Sequence, residues 1–328
     1  MQVYFEPSPQ MIASSAIALG FFDGVHPGHK VVIEKAVAEA KRLGALAGVV
    51  TFRDHPRGLT RGQAPLLLSV IEERLSLFEE LGVDFALVLT FSEELCKLSP
   101  REYVQNILVD SLGARSISVG HNHHFGRDRE GNAELLAAYG RERDFVVHAA
   151  DMVYVDGLEV SSTRIRDLII GKNLELATRL LSRPFNLRGV VVEGDKRGRT
   201  LGFPTANVNP AFNQLVPPSG VYAGMAYVVG EGDGGAKEGA RHNCVINIGV
   251  RPTFKNPETG ASGDPIVTIE SHLLDFDGDL YGKILKVEFH KHLRDEKKFD
   301  GLASLKQQIE SDCRMAREYL PKAMPKTA

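Results

Sequence analysis

Apolar residues in the first half of the chain come in short unbroken runs, at 16–22 (AIALGFF), 47–52 (AGVVTF), 85–91 (FALVLTF), 116–120 (SISVG) and 145–148 (FVVH). Between them, 31–43, 70–81, 100–112 and 133–143 carry apolar positions at the spacing of an amphipathic helix. Uninterrupted apolar runs suit strands buried on both faces, which requires helices on both sides of a parallel sheet. The first half is therefore expected to be a doubly wound α/β domain. Two more helices are predicted at 162–170 and 174–181, and Pro184 disfavours helix at the residue before it. Beyond Pro184 the pattern changes. Runs at 187–192, 221–229, 243–248, 266–274 and 284–290 are separated by Gly- and Pro-rich turns, and only 302–319 keeps helical spacing. This predicts a small antiparallel β-barrel with a C-terminal helix. The expected domains are 1–183 and 184–328, with 230–239 and 255–264 as exposed hairpin loops and 321–328 as a frayed tail.

At 328 residues the chain has room for two domains that each bury a core. With 25% charged and 43% hydrophobic residues it has a soluble globular composition, and a net charge of −3 gives no reason to expect nucleic acid or an anionic membrane as partner. Cys96, Cys244 and Cys313 lie far apart with no zinc or redox spacing, as expected of reduced thiols. The first residues, MQVYFEPSPQ, lack the basic and apolar runs of a secretory signal, and no stretch is long enough to cross a bilayer. A cytoplasmic location is expected; the oligomeric state is open.

The first apolar run leads straight into Gly20-Phe21-Phe22-Asp23-Gly24-Val25-His26-Pro27-Gly28-His29, followed by a helix. Glycines at a strand end allow close backbone approach, and His26 and His29 share one face of a first helical turn. Unsatisfied N–H groups and the helix dipole favour an anion there, and two imidazoles can donate to phosphate oxygens. Two other readings use the same residues. A buried histidine pair with turn glycines is disfavoured by the clustering at one junction. A metal site of Asp23, His26 and His29 is disfavoured because helical zinc pairs are more often spaced by four. His26-Pro27-Gly28-His29 resembles the HxGH signature of nucleotidyltransferases. The longer GFFDGVHPGHK is similar to the opening motif of bacterial FAD synthetases, the bifunctional riboflavin kinase/FMN adenylyltransferases. Ser161-Ser162-Thr163-Arg164-Ile165-Arg166 resembles the SSTxIR element of that family, which implies a mobile loop clamping ATP phosphates; as plain structure it could be an N-cap and solvated charges. The resemblance implies ATP contacts at Gly20, Phe22, Asp23, His26, His29, Ser162, Thr163 and Arg166, with His26 and His29 catalytic. Gly120–Gly126 (GHNHHFG) matches the family's flavin strand end in part: Asn122, Phe125 and Gly126 fit, while the family carries an aromatic residue where His123 stands. A metal role for His121, His123 and His124 is disfavoured.

A second string, GDKRGRTLGFPTAN at 194–207, combines glycines with basic residues in a loop whose amides can approach phosphate. Thr205 and Asn207 alternate on a strand, so a hydroxyl and an amide oxygen share a face and could complete an Mg²⁺ shell. A basic hairpin before a polar strand is the plainer alternative; the string is not a P-loop. It closely resembles the riboflavin kinase signature ending in PTAN. The family order continues with Gly220–Gly224 (GVYAG), Asn247–Phe254 (NIGVRPTF), Ile269–Phe276 (IESHLLDF), DLYG at 279–282 and Arg294 with FDGL at 299–302. The resemblance covers nearly the whole chain. It implies ATP contacts at Gly194, Lys196, Gly198, Gly202 and Thr205, metal ligands Thr205 and Asn207, and a flavin-covering loop at Arg294. It also makes Glu270 the base for the ribityl hydroxyl; Asp275, Asp277 and Asp279 read as turn residues. The implied activity is ATP-dependent conversion of riboflavin to FMN and of FMN to FAD. The alternatives are a riboflavin kinase with an inactive or retargeted first domain, and a flavin or nucleotide sensor without turnover.

Overall fold

The computed structural model describes residues 1–55, 64–194, 197–232, 235–251 and 266–320. By backbone contacts the chain divides into two compact units, Met1–Ser162 and Thr163–Ala328.

The first unit contains β1 (Gln2–Tyr4), β2 (Ser15–Leu19), α1 (Pro27–Leu43), β3 (Leu46–Phe52), α2 (Ile71–Glu80), β4 (Phe85–Leu89), α3 (Glu93–Lys97), α4 (Pro100–Glu102), β5 (Ala114–Gly120), α5 (Ala133–Arg143), β6 (Val146–Ala150) and the small hairpin β7 (Tyr154–Val155) with β8 (Leu158–Glu159). The expected parallel sheet is present, in the order β1-β4-β3-β2-β5-β6 with every neighbour parallel. Both faces are covered because β2 alternates. Ala16 and Ala18 pack with Val32, Ile33 and Phe78 on one face, and Ile17 and Leu19 with Ile107, Leu108 and Leu136 on the other. After β2 the chain adds β3 and β4 on one side, then β5 and β6 on the other. The order thus reverses between β2 and β5, and ligands bind open α/β sheets in the crevice outside such strand ends.

Some boundaries differ from expectation. The run 16–22 stops as a strand at Leu19, because Phe22 adopts φ 54° and the chain turns. The following helix begins earlier, at Pro27, whose fixed φ suits a first helical position. The helix expected over 100–112 is one α-turn, Ser99-capped, running into a π-helix at Tyr103–Val109. β1, flanked by Pro7 and Pro9, was not legible as a strand; three residues are too few for a periodic signal.

The second unit begins with α6 (Ser162–Ile170), whose first residue belongs to the first unit, and α7 (Leu174–Leu181). Then come β9 (Phe185–Val192), α8 (Arg197–Leu201), β10 (Ala206–Pro210), β11 (Gly220–Gly232), β12 (Gly235–Glu238), β13 (His242–Arg251), β14 (Ile266–Leu273), β15 (Ile284–Arg294) and α9 (Leu302–Tyr319). The antiparallel order β11-β13-β14-β10-β9-β15 returns to β11, closing the expected barrel. Buried Leu187, Tyr222, Ile246, Leu285 and Phe289 belong to these strands, and Cys313 and Ala316 of α9, with Leu320 just after it, pack on Val221, Ala223 and Val245. The segment 230–239 is not a plain loop: Val229↔Glu238 through Gly232↔Gly235 pair as the β11–β12 hairpin. The loop expectations for 255–264 and 321–328 fall outside the described residues.

Candidate active sites

At the switch point, β2 and β5 lie side by side, with Leu19 opposite Val119. The turn after β2 is tightly shaped. Phe22 (φ 54°), Gly24 (φ 83°) and Val25 (φ 41°) all occupy positive φ, which a β-branched residue such as Val25 adopts only under constraint. His26 is the N-cap of α1 and uses no side-chain cap hydrogen bond. Its ring stacks on that of His29 with centroids 3.6 Å apart and planes 20° from parallel. A side chain at Gly28 would come within 3.3 Å of the His26 ring, so this residue type lets the ring fold over the first turn. The two imidazoles and the N-terminus of a 17-residue helix are therefore gathered at one point.

The other motif residues support this turn. Phe22 is buried, with its ring edge-on to His29 at 5.4 Å and to Phe78 at 5.9 Å. Asp23 is also buried, and its carboxylate accepts from the amides of Leu68 (2.9 Å) and Ser69 (3.0 Å). It anchors the loop and does not converge with His26 and His29 as metal ligands would; among the described residues no group of His, Cys, Asp and Glu is arranged to hold a metal. Gly20 donates its amide to the carbonyl of Val50 (3.1 Å). Ser162, the last residue of the first unit, donates its hydroxyl to the Asp23 carbonyl (3.0 Å). Thr163 and Arg166 lie in the first turns of α6, in the second unit by contact.

Beyond β5, Asn122 is exposed, whereas Phe125 is buried and bridged to Gly131. His123 stacks on Phe125 (5.9 Å, 22°), and Phe125 meets Tyr103 of the π-helix at 5.7 Å. Desolvation, with the charges of His124 and Arg129, lowers the His123 pKa to about 4. The imidazole is neutral at pH 7 and acts as one more flat ring.

In the barrel, register assembles a polar row that spacing could not show. Asn207 of β10 stands opposite Glu270 of β14, and Glu270 stands opposite Asn247 of β13. Directly opposed side chains share a face about 5 Å apart. A side chain on Gly194 would collide with the Asn207 amide, so that glycine admits the row's first member. Two residues past Glu270 on the same face, His272 Nδ1 lies 2.7 Å from the Pro204 carbonyl and fixes the approach to β10. A cavity of about 310 Å³ is walled in part by Arg199, Thr205, Ser271, Phe276, Asp279 and Tyr281. Thr205 stands on its wall, and half-buried Thr205 and Asn207 alternate with buried Ala206 and Val208, which puts the pair on one face. Gly198 lies inside the short helix α8, where a loop was expected, and Gly202 (φ 87°) ends it. Lys196 lies outside the described residues. Arg294, at the end of β15, makes a forked ion pair with Asp312 of α9 (Nη2–Oδ2 2.8 Å, Nε–Oδ1 3.1 Å).

A family model described as FAD synthetase matches residues 8–164, and one described as riboflavin kinase matches 181–320. A bifunctional riboflavin kinase/FMN adenylyltransferase from Pseudomonas fluorescens is 41% identical over 300 residues, 91% of either chain. The chain belongs to the bifunctional riboflavin kinase/FMN adenylyltransferase family. A relative with the same description from Bacillus subtilis is 36% identical over 94% of this chain and 93% of its own, and one from Escherichia coli K12 is 35% identical over 94% of each. A crystal structure described as a macrolide-efflux protein from Streptococcus pneumoniae has a TM-score of 0.83 at 27% identity, covering 98% of this chain and 100% of its own. Among the described residues of the present family member, no helix is long and apolar enough to cross a membrane. Membership matches the expectation drawn from the HxGH and PTAN strings. Asn247 and His272 gained their places from register; each sits inside a recognised block, but nothing in the spacing marked it.

Proposed function

We propose that the barrel transfers the γ-phosphoryl group of ATP to the ribityl 5′-hydroxyl of riboflavin, giving FMN and ADP. The α/β unit then joins the FMN phosphate to the α-phosphorus of a second ATP, giving FAD and pyrophosphate. The observation that carries this reading is the match of both family models, in order, in a chain 41% identical to a bifunctional relative over 91% of its length.

For the first step, the cavity beside Thr205 suits the nucleotide, with its triphosphate directed along Thr205 toward Asn207 and Glu270. Glu270 accepts the hydroxyl proton as the oxygen attacks phosphorus and the bond to ADP breaks. Thr205, close to Gly198, and Asn207, close to Gly194, offer neutral oxygens, a donor set that suits a hard cation. Mg²⁺ held there would neutralise triphosphate charge. For the second step, the FMN phosphate oxygen attacks in line and pyrophosphate leaves. His26, His29 and the α1 N-terminus stabilise the charge that develops, with Ser162, Thr163 and Arg166 on the phosphates. We keep 1–183 with adenylyl transfer and 184–328 with phosphorylation, since Thr163 and Arg166 are carried by α6. Asn122 and the His123–Phe125 stack support FMN at the end of β5. We read the location as cytoplasmic, consistent with three unpaired thiols.

Incubation with riboflavin and Mg-ATP, followed by separation of the flavins, tests both steps. FMN followed by FAD is expected. No FMN overturns the barrel assignment, and FMN supplied without FAD formation overturns that of the α/β unit.

A further inference from the structure

We infer that Arg74 is a positioning residue of the adenylyl-transfer site, a buried pin that holds the turn carrying His26 and His29 against the end of β3; this rests on the activity proposed above for that unit. Arg74 lies on α2 and is fully buried. One terminal nitrogen donates to the carbonyls of Phe21 (2.8 Å) and Phe52 (3.1 Å) and to Thr51 Oγ1 (3.3 Å), and the other to the carbonyl of Arg53 (3.1 Å). The guanidinium also sits over the Phe21 ring, 4.5 Å from its centroid. Among the described residues its oxygens therefore come from two places, the backbone just beyond β2 and the last residues of β3 with the one after it.

A charge so placed is costly to bury. Among the described residues Arg74 has no carboxylate within ion-pair distance. Asp23, Glu72 and Asp54 favour its charge from farther away, and desolvation lowers its pKa only to about 10. It stays a cation at neutral pH. An apolar residue would serve a helix face that also buries Phe78, so packing alone does not explain an arginine there. Its forked geometry does: it satisfies carbonyls at the ends of two strands at once.

The turn is held from the opposite direction as well. Asp23 accepts from Leu68 and Ser69, which lead into α2, and Ser69 Oγ accepts from the Gly24 amide at 2.8 Å. The motif thus sends a carboxylate to the lead-in of α2, and α2 returns a guanidinium to the motif. Between these two ties lies Phe22, and directly after them Val25, both at positive φ. Such backbone persists only where its surroundings over-determine it. Loosening the pin displaces the histidines and the α1 N-terminus together.

The test is steady-state FAD formation from FMN and ATP by Arg74→Met and Arg74→Lys, with FMN formation from riboflavin by the same proteins as internal control. Misplacement of this kind lowers kcat/KM for ATP by about 100-fold in Arg74→Met, through both KM and kcat. Arg74→Lys, which keeps the charge but loses the fork, recovers to within about 10-fold of wild type, while riboflavin phosphorylation is unchanged in both. Amide exchange reads the pin without catalysis: protection falls at 20–25 and 51–54 and holds in the middle of β2 and β5. A folded Arg74→Met with wild-type constants overturns the inference, as does a Lys variant no better than Met. Should Arg74→Met fail to fold, Arg74→Lys decides alone, since a raised KM for ATP is expected and wild-type constants overturn the pin. A wild-type protein that makes no FAD counts against the proposed activity, and exchange then judges the pin by itself.

Discussion

His123 is an imidazole whose environment makes it behave like an aromatic ring. It is stacked on Phe125 and desolvated, so its pKa falls to about 4 against an ordinary 6.5. Between those values the unfolded chain binds a proton that the native imidazole does not. Stability of the α/β unit therefore falls as pH drops from about 6.5 and is fully lowered by about pH 4. His123→Phe removes that proton and should shrink the difference in urea midpoint between pH 7 and pH 4.5; an unchanged difference would refute the assignment. His26, His29 and Glu270 were legible as candidates because their chemistry sits inside contiguous strings. Arg74 was not, since its acceptors at 21 and 51–53 are far away in sequence and an arginine on an amphipathic helix reads as a solvated charge. Asp23 was legible as a motif member, but its bonds to Leu68 and Ser69 were not.

Among the elements, α9 illustrates how a predicted helix acquires a role only through its partner. Its span of 302–319 was readable from apolar spacing and matches Leu302–Tyr319. Nothing local showed that Asp312, only 2% exposed at its side chain, would take the guanidinium of Arg294 from the end of β15. Gln308 adds a hydrogen bond to the same carboxylate at 2.7 Å. The pair fixes where the 295–301 connection leaves the barrel, the segment assigned to covering flavin. Asp312→Ala leaves a mostly buried arginine without its carboxylate and should destabilise the barrel by about 3–5 kcal/mol. Thermal unfolding checks this, and a midpoint within a degree of wild type would contradict it. The π-helix at Tyr103–Val109 was unreadable for a related reason. Over two turns its apolar positions fit an α-helical face equally well, and it is backbone bonds five residues apart, such as the Asp110 amide to the Gln105 carbonyl (2.8 Å), that distinguish them.

At the scale of the whole chain, the change from buried runs to short strands near Pro184 made two architectures legible, and both are present. Contacts nevertheless group α6 and α7 with the barrel, through links such as Lys172 Nζ to the Ser219 carbonyl (2.9 Å) and to Asp295. A helix pair between two domains carries no sequence mark of the side on which it packs. The assigned chemistry is more cleanly divided. His26, His29 and the Asp23 tie to Ser162 lie in one unit, and the Asn207–Glu270–Asn247 row, the cavity and Arg294 in the other. If each set suffices for its own step, FMN released by one molecule must serve another. Glu270→Gln should lose riboflavin phosphorylation by about 10²–10⁴-fold yet convert supplied FMN to FAD. His26→Ala should form FMN normally and lose FAD formation by about 10²–10³-fold. An equimolar mixture of the two, given riboflavin and Mg-ATP, should then make FAD after a lag while free FMN accumulates. If each variant keeps its remaining half-reaction and the mixture still yields only FMN, the two steps require one intact chain and the division of labour between the units fails.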